Sequence, residues 1–92
     1  MKLTGNVAIV TGSAAGVGAA TARLFATKGW NVVVNYSRSE DDAKETQAAC
    51  QVEGVETLMV KADISDDSEC RRLVEETIEK WGRVDALVNN AG

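Results

Sequence analysis

Apolar residues along the chain come in short runs and in spaced stripes, and the two alternate. Val7-Ala8-Ile9-Val10 is a continuous, largely β-branched run, as in a strand buried on both faces. From Val17 to Lys28 the period changes. Val17, Ala20, Leu24 and Phe25 recur at helical spacing, and Gly29 follows as a stop. Trp30 to Asn35 reads as a second buried strand. Glu40 to Glu53 predicts a helix with Ala43, Gln47 and Cys50 on its inner stripe, ended by Gly54. Glu56 to Val60 reads as a third strand. Ser65 or Asp66 caps the next helix, and Glu69 sits three after Asp66, as in a capping box. Cys70, Leu73, Val74, Thr77, Ile78 and Trp81 then form the clearest amphipathic stripe, and Gly82 ends it. Val84 to Val88 is a fourth strand, and Asn89-Asn90-Ala91-Gly92 closes the sequence.

Strands alternating with helices of this length make βαβ units, which build a parallel sheet through right-handed crossovers. The predicted order is β-α-β-α-β-α-β, and 92 residues make one domain. A chain of this size buries only about 60–65% of its unfolded surface. Acidic residues outnumber basic ones 14 to 10 and the net charge is −4. That balance speaks against nucleic acid, which calls for a basic face and stacking aromatics. With no His and two Cys, the ligands for a tetrahedral zinc are lacking and no metal is expected. Cys50 and Cys70 read as two reduced, partly buried thiols rather than a disulfide or redox pair. Near the N-terminus the apolar run is four residues long, shorter than the about 7–15 of a secretory signal. No stretch approaches the ~20 apolar residues of a membrane span. A cytoplasmic location without membrane contact is expected.

The chemistry lies between the first strand and first helix, in Thr11-Gly12-Ser13-Ala14-Ala15-Gly16-Val17-Gly18. A tight strand-to-helix turn, a close approach of backbone to a pyrophosphate and close helix–sheet packing each call for glycine. Phosphates would sit on free N–H groups at the helix N-terminus, where the helix dipole favours negative charge. The loop follows a predicted strand and opens a predicted helix, as such a site requires. A turn with no ligand is the bland reading.

With these residues the sequence resembles the short-chain dehydrogenase/reductase family. Thr11 to Gly18 meets its Thr-Gly-x-x-x-Gly-x-Gly pattern, Asp63-Ile64 its acid after strand three, and Asn89 to Gly92 its Asn-Asn-Ala-Gly after strand four. The texture is most similar to the branch containing 3-oxoacyl-carrier-protein reductases. The resemblance covers the whole chain but only the first part of a family member, so residues 1–92 are expected to be the N-terminal part of a dinucleotide-binding domain.

The resemblance implies a Rossmann-type, doubly wound parallel sheet of order 3-2-1-4, here incomplete. The first two helices would share one face and the third would lie alone on the other. Strand four would be an unprotected apolar edge, so a marginal or self-associating chain is expected. The implied cofactor residues in the loop are Gly12, Ser13, Ala15, Gly16, Val17 and Gly18. Asp63 would bond the adenine amino group and Ile64 would pack near the ring; Asp63 could instead cap the next helix. Asn90, Ala91 and Gly92 would lie against the adenosine ribose, while Asn89 and its neighbours tie the central strands.

The second strand runs into Asn35-Tyr36-Ser37-Arg38-Ser39. NAD-binding folds usually place an acid there to hold the ribose 2′-hydroxyl. Asn35 carries no charge to repel a 2′-phosphate, and Arg38 with the hydroxyls of Ser37 and Ser39 suits one. NADP(H) is therefore expected over NAD(H). Against this, many NADP-using relatives carry Arg or Lys in the loop, where this chain has Ala14 and Ala15. Arg38 could also be a solvated charge balancing Glu40, Asp41 and Asp42.

The family's acid–base chemistry uses a Tyr with a Lys four residues on, helped by a Ser and an Asn. The one tyrosine here, Tyr36, is followed four later by Glu40 and falls at the adenosine end. No catalytic residue is carried over. The expected function is the cofactor-binding part of an NADP-dependent oxidoreductase acting on a small carbonyl or alcohol, with homo-oligomers only at full length. The alternatives are a short nucleotide-binding protein without turnover, or a Rossmann binder of a flavin or a methyl donor. Asn89 to Gly92 argues against the last.

Overall fold

The computed structural model describes residues 5–90. The seven expected elements are present in order: β1 (Val7–Val10), α1 (Gly16–Thr27), β2 (Asn31–Tyr36), α2 (Glu40–Gln51), β3 (Thr57–Lys61), α3 (Asp67–Trp81) and β4 (Ala86–Val88). The strands form one parallel sheet ordered β3-β2-β1-β4, an α/β Rossmann arrangement. Val7 to Val10 and Val32 to Val34 are fully buried, which accounts for their unbroken apolar runs. Each Val or Ile side chain among them contributes about 1.5–3 kcal/mol on burial. Among the described residues no helix is long and apolar enough to cross a membrane.

Two cores flank the sheet. On one face α1 and α2 pack Ala22, Ala26, Ala43 and Cys50 against Val10, Val32, Val34 and Tyr36. On the other, α3 packs Leu73 and Trp81 against Val7, Ile9, Val33 and Val60. Cys50 and Cys70 are both free thiols, and burial pushes the Cys50 thiol pKa up.

Several expected details are corrected. The inner stripe of α1 is Gly18, Ala22 and Ala26, not Val17, Ala20 and Leu24. Val17 is 74% and Leu24 57% exposed. The small residues let α1 close on the sheet and leave no space for the large ones. In α2 the buried polar position is Thr46 rather than Gln47. Its hydroxyl donates to the Ala14 carbonyl at 2.9 Å, so a polar side chain is buried because it has a partner. The α3 cap is Asp66, whose carboxylate accepts from the N–H groups of Ser68 and Glu69. The reciprocal half of a capping box is missing. Glu69 turns instead to the Asp63 N–H and Arg72. The Asp66 N–H donates to the Asp63 carbonyl. Strand four starts at Ala86, not Val84, and strand two extends to Tyr36, which pairs with Lys61.

Candidate functional site

The strand order reverses direction at β1, which lies between β2 and β4. In open parallel sheets the crevice at the carboxyl ends of such strands is where ligands bind. A cleft of ≈ 430 Å³ lies there, lined by Thr11, Gly12, Asn35, Ser37, Ala62, Asp63, Ile64, Ser65, Asn89 and Asn90. Its volume falls in the range of small-molecule sites.

The glycine turn is held from three sides. The Gly12 N–H donates to Asn35 Oδ1 at 2.9 Å, and the Gly12 carbonyl accepts from Asn90 Nδ2 at 3.2 Å. Thr46 holds Ala14 from α2. Thr11 joins the loop to the end of β4. Its N–H donates to the Val88 carbonyl, and its hydroxyl accepts from the Asn90 N–H at 2.8 Å. The glycines have separate duties. A Cβ on Gly18 would lie 2.1 Å from the Gly12 carbonyl oxygen and 2.7 Å from Asn90 Nδ2, so only glycine lets α1 start this close to the turn. Gly12 and Gly16 have φ of 60° and 63°, which side-chain-bearing residues rarely adopt. Space beside Gly16 is open to 4 Å.

The N-cap of α1 is Ala15, which offers no side-chain acceptor, and no acid lies in the first turn. The first N–H groups of α1 are thus left for another anion. By contrast α2 carries Glu40, Asp41 and Asp42 in its first turn, and α3 is capped by Asp66. The residues present therefore fit a phosphate at the start of α1.

Gly12, Ser37, Asp63, Ile64 and Asn90 are brought together in the cleft. Ala15, Gly16 and Val17 form the start of α1, beside the turn, and Gly18 packs beneath it. Ser13 is fully buried. Its hydroxyl accepts from the Asn35 N–H at 2.9 Å and faces β2 rather than the cleft. Arg38 and Ser39 lie apart from the main cleft, on a shallow depression with Glu40, Asp41 and Asp42. Arg38 forms no salt bridge or side-chain hydrogen bond among the described residues, so it does not neutralise those acids by direct pairing. Ala91 and Gly92 lie outside the described residues.

Asp63 does not cap α3. Its Oδ1 accepts from the Ser65 hydroxyl at 2.7 Å and the Ser65 N–H at 3.0 Å. Those bonds, the hydroxyl first, lower its pKa, and the charge of Arg38 adds a smaller pull in the same direction. The carboxylate is exposed, and its Oδ2 has no partner among the described residues. It is a free acceptor at the cleft wall. Sequence reasoning missed Thr11, Thr46 and Ser65 as site residues and valued Asn35 only for its lack of charge. The available signal was a polar residue directly after Val32-Val33-Val34, in a strand buried along its whole length.

The sequence model of the short chain dehydrogenase family matches residues 6–92. The chain belongs to that family. It is 42% identical over 90 residues to a 3-oxoacyl-[acyl-carrier-protein] reductase of Synechocystis, covering 98% of this chain and 36% of that protein. Among solved structures, a Burkholderia xenovorans protein assigned to the short-chain dehydrogenases/reductases superposes with a TM-score of 0.94 at 40% identity, over 99% of this chain and 38% of that one. A hydroxysteroid dehydrogenase of Escherichia coli gives 0.88 at 40% identity, over 99% and 38%. This short-chain dehydrogenase sequence thus spans about a third of the length of the curated relatives it matches.

Proposed function

We propose that these 92 residues form the dinucleotide-binding part of an oxidoreductase that takes NADP(H) in preference to NAD(H). The observation that carries this reading is the clamped Gly12 turn. It opens onto an uncapped, acid-free helix start beside a cleft at the strand reversal. The first turn of α1 would take the pyrophosphate. Asp63, with Oδ2 free, would accept from the adenine amino group, and Ile64 would pack on the ring. Asn90, Ala91 and Gly92 would lie along the adenosine ribose. Ser37 at the cleft, with Arg38 and Ser39 beyond it, would hold the 2′-phosphate. The 3-oxoacyl-carrier-protein reductase relative is in keeping with that choice.

When bound, the nicotinamide supplies or accepts the hydride exchanged with a small carbonyl or alcohol. The protein's task in such chemistry is position and a proton. The single tyrosine, Tyr36, is buried to 9% exposure against the α1–α2 face, and Glu40, not a lysine, stands four residues on. We therefore expect these residues alone to bind cofactor without turnover, in the cytoplasm and away from nucleic acid and membrane. Titration of NADPH and NADH against wild type and Arg38→Ala tests the reading. NADPH binding should weaken about tenfold or more, as loss of a charge-assisted contact implies, while NADH binding hardly changes. Equal losses for both cofactors would overturn the NADP preference. No binding of either by wild type would overturn the site.

A further inference from the structure

Asn35 stands where an acid would select NAD, yet its side chain has other work. It is 1% exposed, and both ends of its carboxamide are taken. Oδ1 accepts from the Gly12 N–H at 2.9 Å, while Nδ2 donates to the carbonyls of Val60 at 3.3 Å and Ala62 at 3.2 Å. Its main chain binds the loop as well: the Ser13 N–H donates to the Asn35 carbonyl at 2.9 Å, and the Asn35 N–H donates to Ser13 Oγ. Two carbonyls can only accept, so they fix which end of the amide faces them. The other end, an acceptor, is thereby aimed at Gly12.

We propose that Asn35 is a positioning residue for the cofactor's pyrophosphate: β3 orients its carboxamide, and the carboxamide sets the Gly12 turn that presents the start of α1. The inference rests on the dinucleotide reading above. It has a second consequence. A carboxylate at residue 35 would keep the Gly12 bond but turn an acceptor toward the carbonyls of Val60 and Ala62, where nothing could donate. Residue 35 is therefore not where this chain chooses between NAD and NADP. That choice falls to residues beyond it, from Ser37 onward.

The test uses the 92-residue chain and NMR titration with two probes, NADP⁺ and adenosine 2′-monophosphate, which lacks the pyrophosphate. Asn35→Ala should lose about tenfold or more in NADP⁺ affinity, in keeping with a buried hydrogen bond removed from the loop, and adenosine 2′-monophosphate should keep its wild-type affinity within about threefold. A purely structural role would lower both equally, and that result overturns the proposal. Asn35→Asp should gain no NAD⁺ preference; a gain would place the side chain at the ribose and also overturn it. Should these variants fail to fold, wild type still decides. The Gly12 amide, though in a loop, must exchange slowly with solvent before any ligand is added, and fast exchange refutes the clamp. If wild type binds neither probe, the dinucleotide reading itself falls, an outcome distinct from unequal behaviour of the variants.

Discussion

The two faces of the sheet are covered by different means. On the α1–α2 face two helices sit over the strands, and small residues, Gly18, Ala22, Ala26 and Ala43, make much of the contact beside Thr46 and Cys50. Small residues bring backbone close to backbone, so the turn between β1 and α1 is held within hydrogen-bond reach of β2, β4 and α2. On the opposite face α3 stands alone among the described residues. Its contact is made of large residues, Leu73 and Trp81, and Trp81 Nε1 donates to Glu56 at 2.8 Å. Val74, Ile78 and Leu87 remain 39%, 43% and 58% exposed. A narrow apolar groove of ≈ 120 Å³ runs between α3 and β4 past Cys70, Val74 and Leu87. Close packing on one side fixes the turn between β1 and α1. Sparse cover on the other leaves apolar surface open.

If the α3 face depends on few large anchors, removing one should have the largest effect. Leu73 is 2% exposed, and Leu73→Ala is expected to cost about 2–5 kcal/mol. A chain of this size has little stability to spare, so the urea midpoint should fall steeply or the transition vanish. The opposite change probes the other face. Ala22 is fully buried, and Ala22→Leu should cost about 1–3 kcal/mol by overpacking. If Ala22→Leu were neutral, α1 would not be as close to the sheet as its small stripe implies.

The glycines sharpen the same contrast at the turn between β1 and α1. Gly18→Ala puts a methyl against the Gly12 carbonyl, so the turn must shift; we expect about 1–3 kcal/mol of lost stability and lost NADP⁺ affinity together. Gly16→Ala meets no atom but keeps a φ of 63°, at about 1–2 kcal/mol of backbone strain. Thermal unfolding with and without NADP⁺ checks both. A ligand-induced shift preserved in Gly18→Ala would show that the turn tolerates displacement.

Much of this was readable from the residues, and the failures share a cause. Unbroken apolar runs identify Val7 to Val10 and Val32 to Val34 as buried strands because both sheet faces are covered. The Gly12–Gly18 spacing identifies the loop because its turn and close packing have few other solutions. In α1, hydrophobicity does not predict burial. Val17 and Leu24 are apolar and exposed, while Gly18 and Ala22 are small and buried, because distance between backbones, not side-chain polarity, selects the inner face of α1. Polar residues misled in the opposite sense. Asn35 and Thr46 are buried since each has a partner in the loop, and such partners lie more than 20 residues away in sequence. Local pattern carries no trace of them.

The open groove calls for a test that leaves the core alone. Leu87 lies on β4, at the end of the sheet among the described residues. An apolar edge strand invites pairing with another copy. The wild-type chain should therefore sediment with concentration-dependent association. Leu87→Lys should reduce that association while changing stability by no more than about 0.5 kcal/mol. A wild type that stays monomeric at high concentration would show that the exposed groove does not drive contact.

The smallest expected effect concerns how the sparsely covered side is tied to β1. The Asp85 carboxylate accepts from the Val7 N–H at 2.8 Å and from Arg83. The Arg83 hydrogen bond first, and the Val7 N–H second, hold its pKa below the usual carboxylate value. Asp63 and Asp66 are lowered too, by Ser65 and Ser68. A carboxylate with a depressed folded pKa stabilises the fold above its unfolded pKa, and that contribution fades as pH falls through the folded value. The urea midpoint should therefore drop below about pH 4. Asp85→Asn keeps an acceptor for Val7 but has no charge to lose, so its midpoint should be slightly lower at pH 7 and less sensitive to acid. An unchanged acid dependence in that variant would mean that the tie between β4 and β1 owes nothing to the ionised carboxylate.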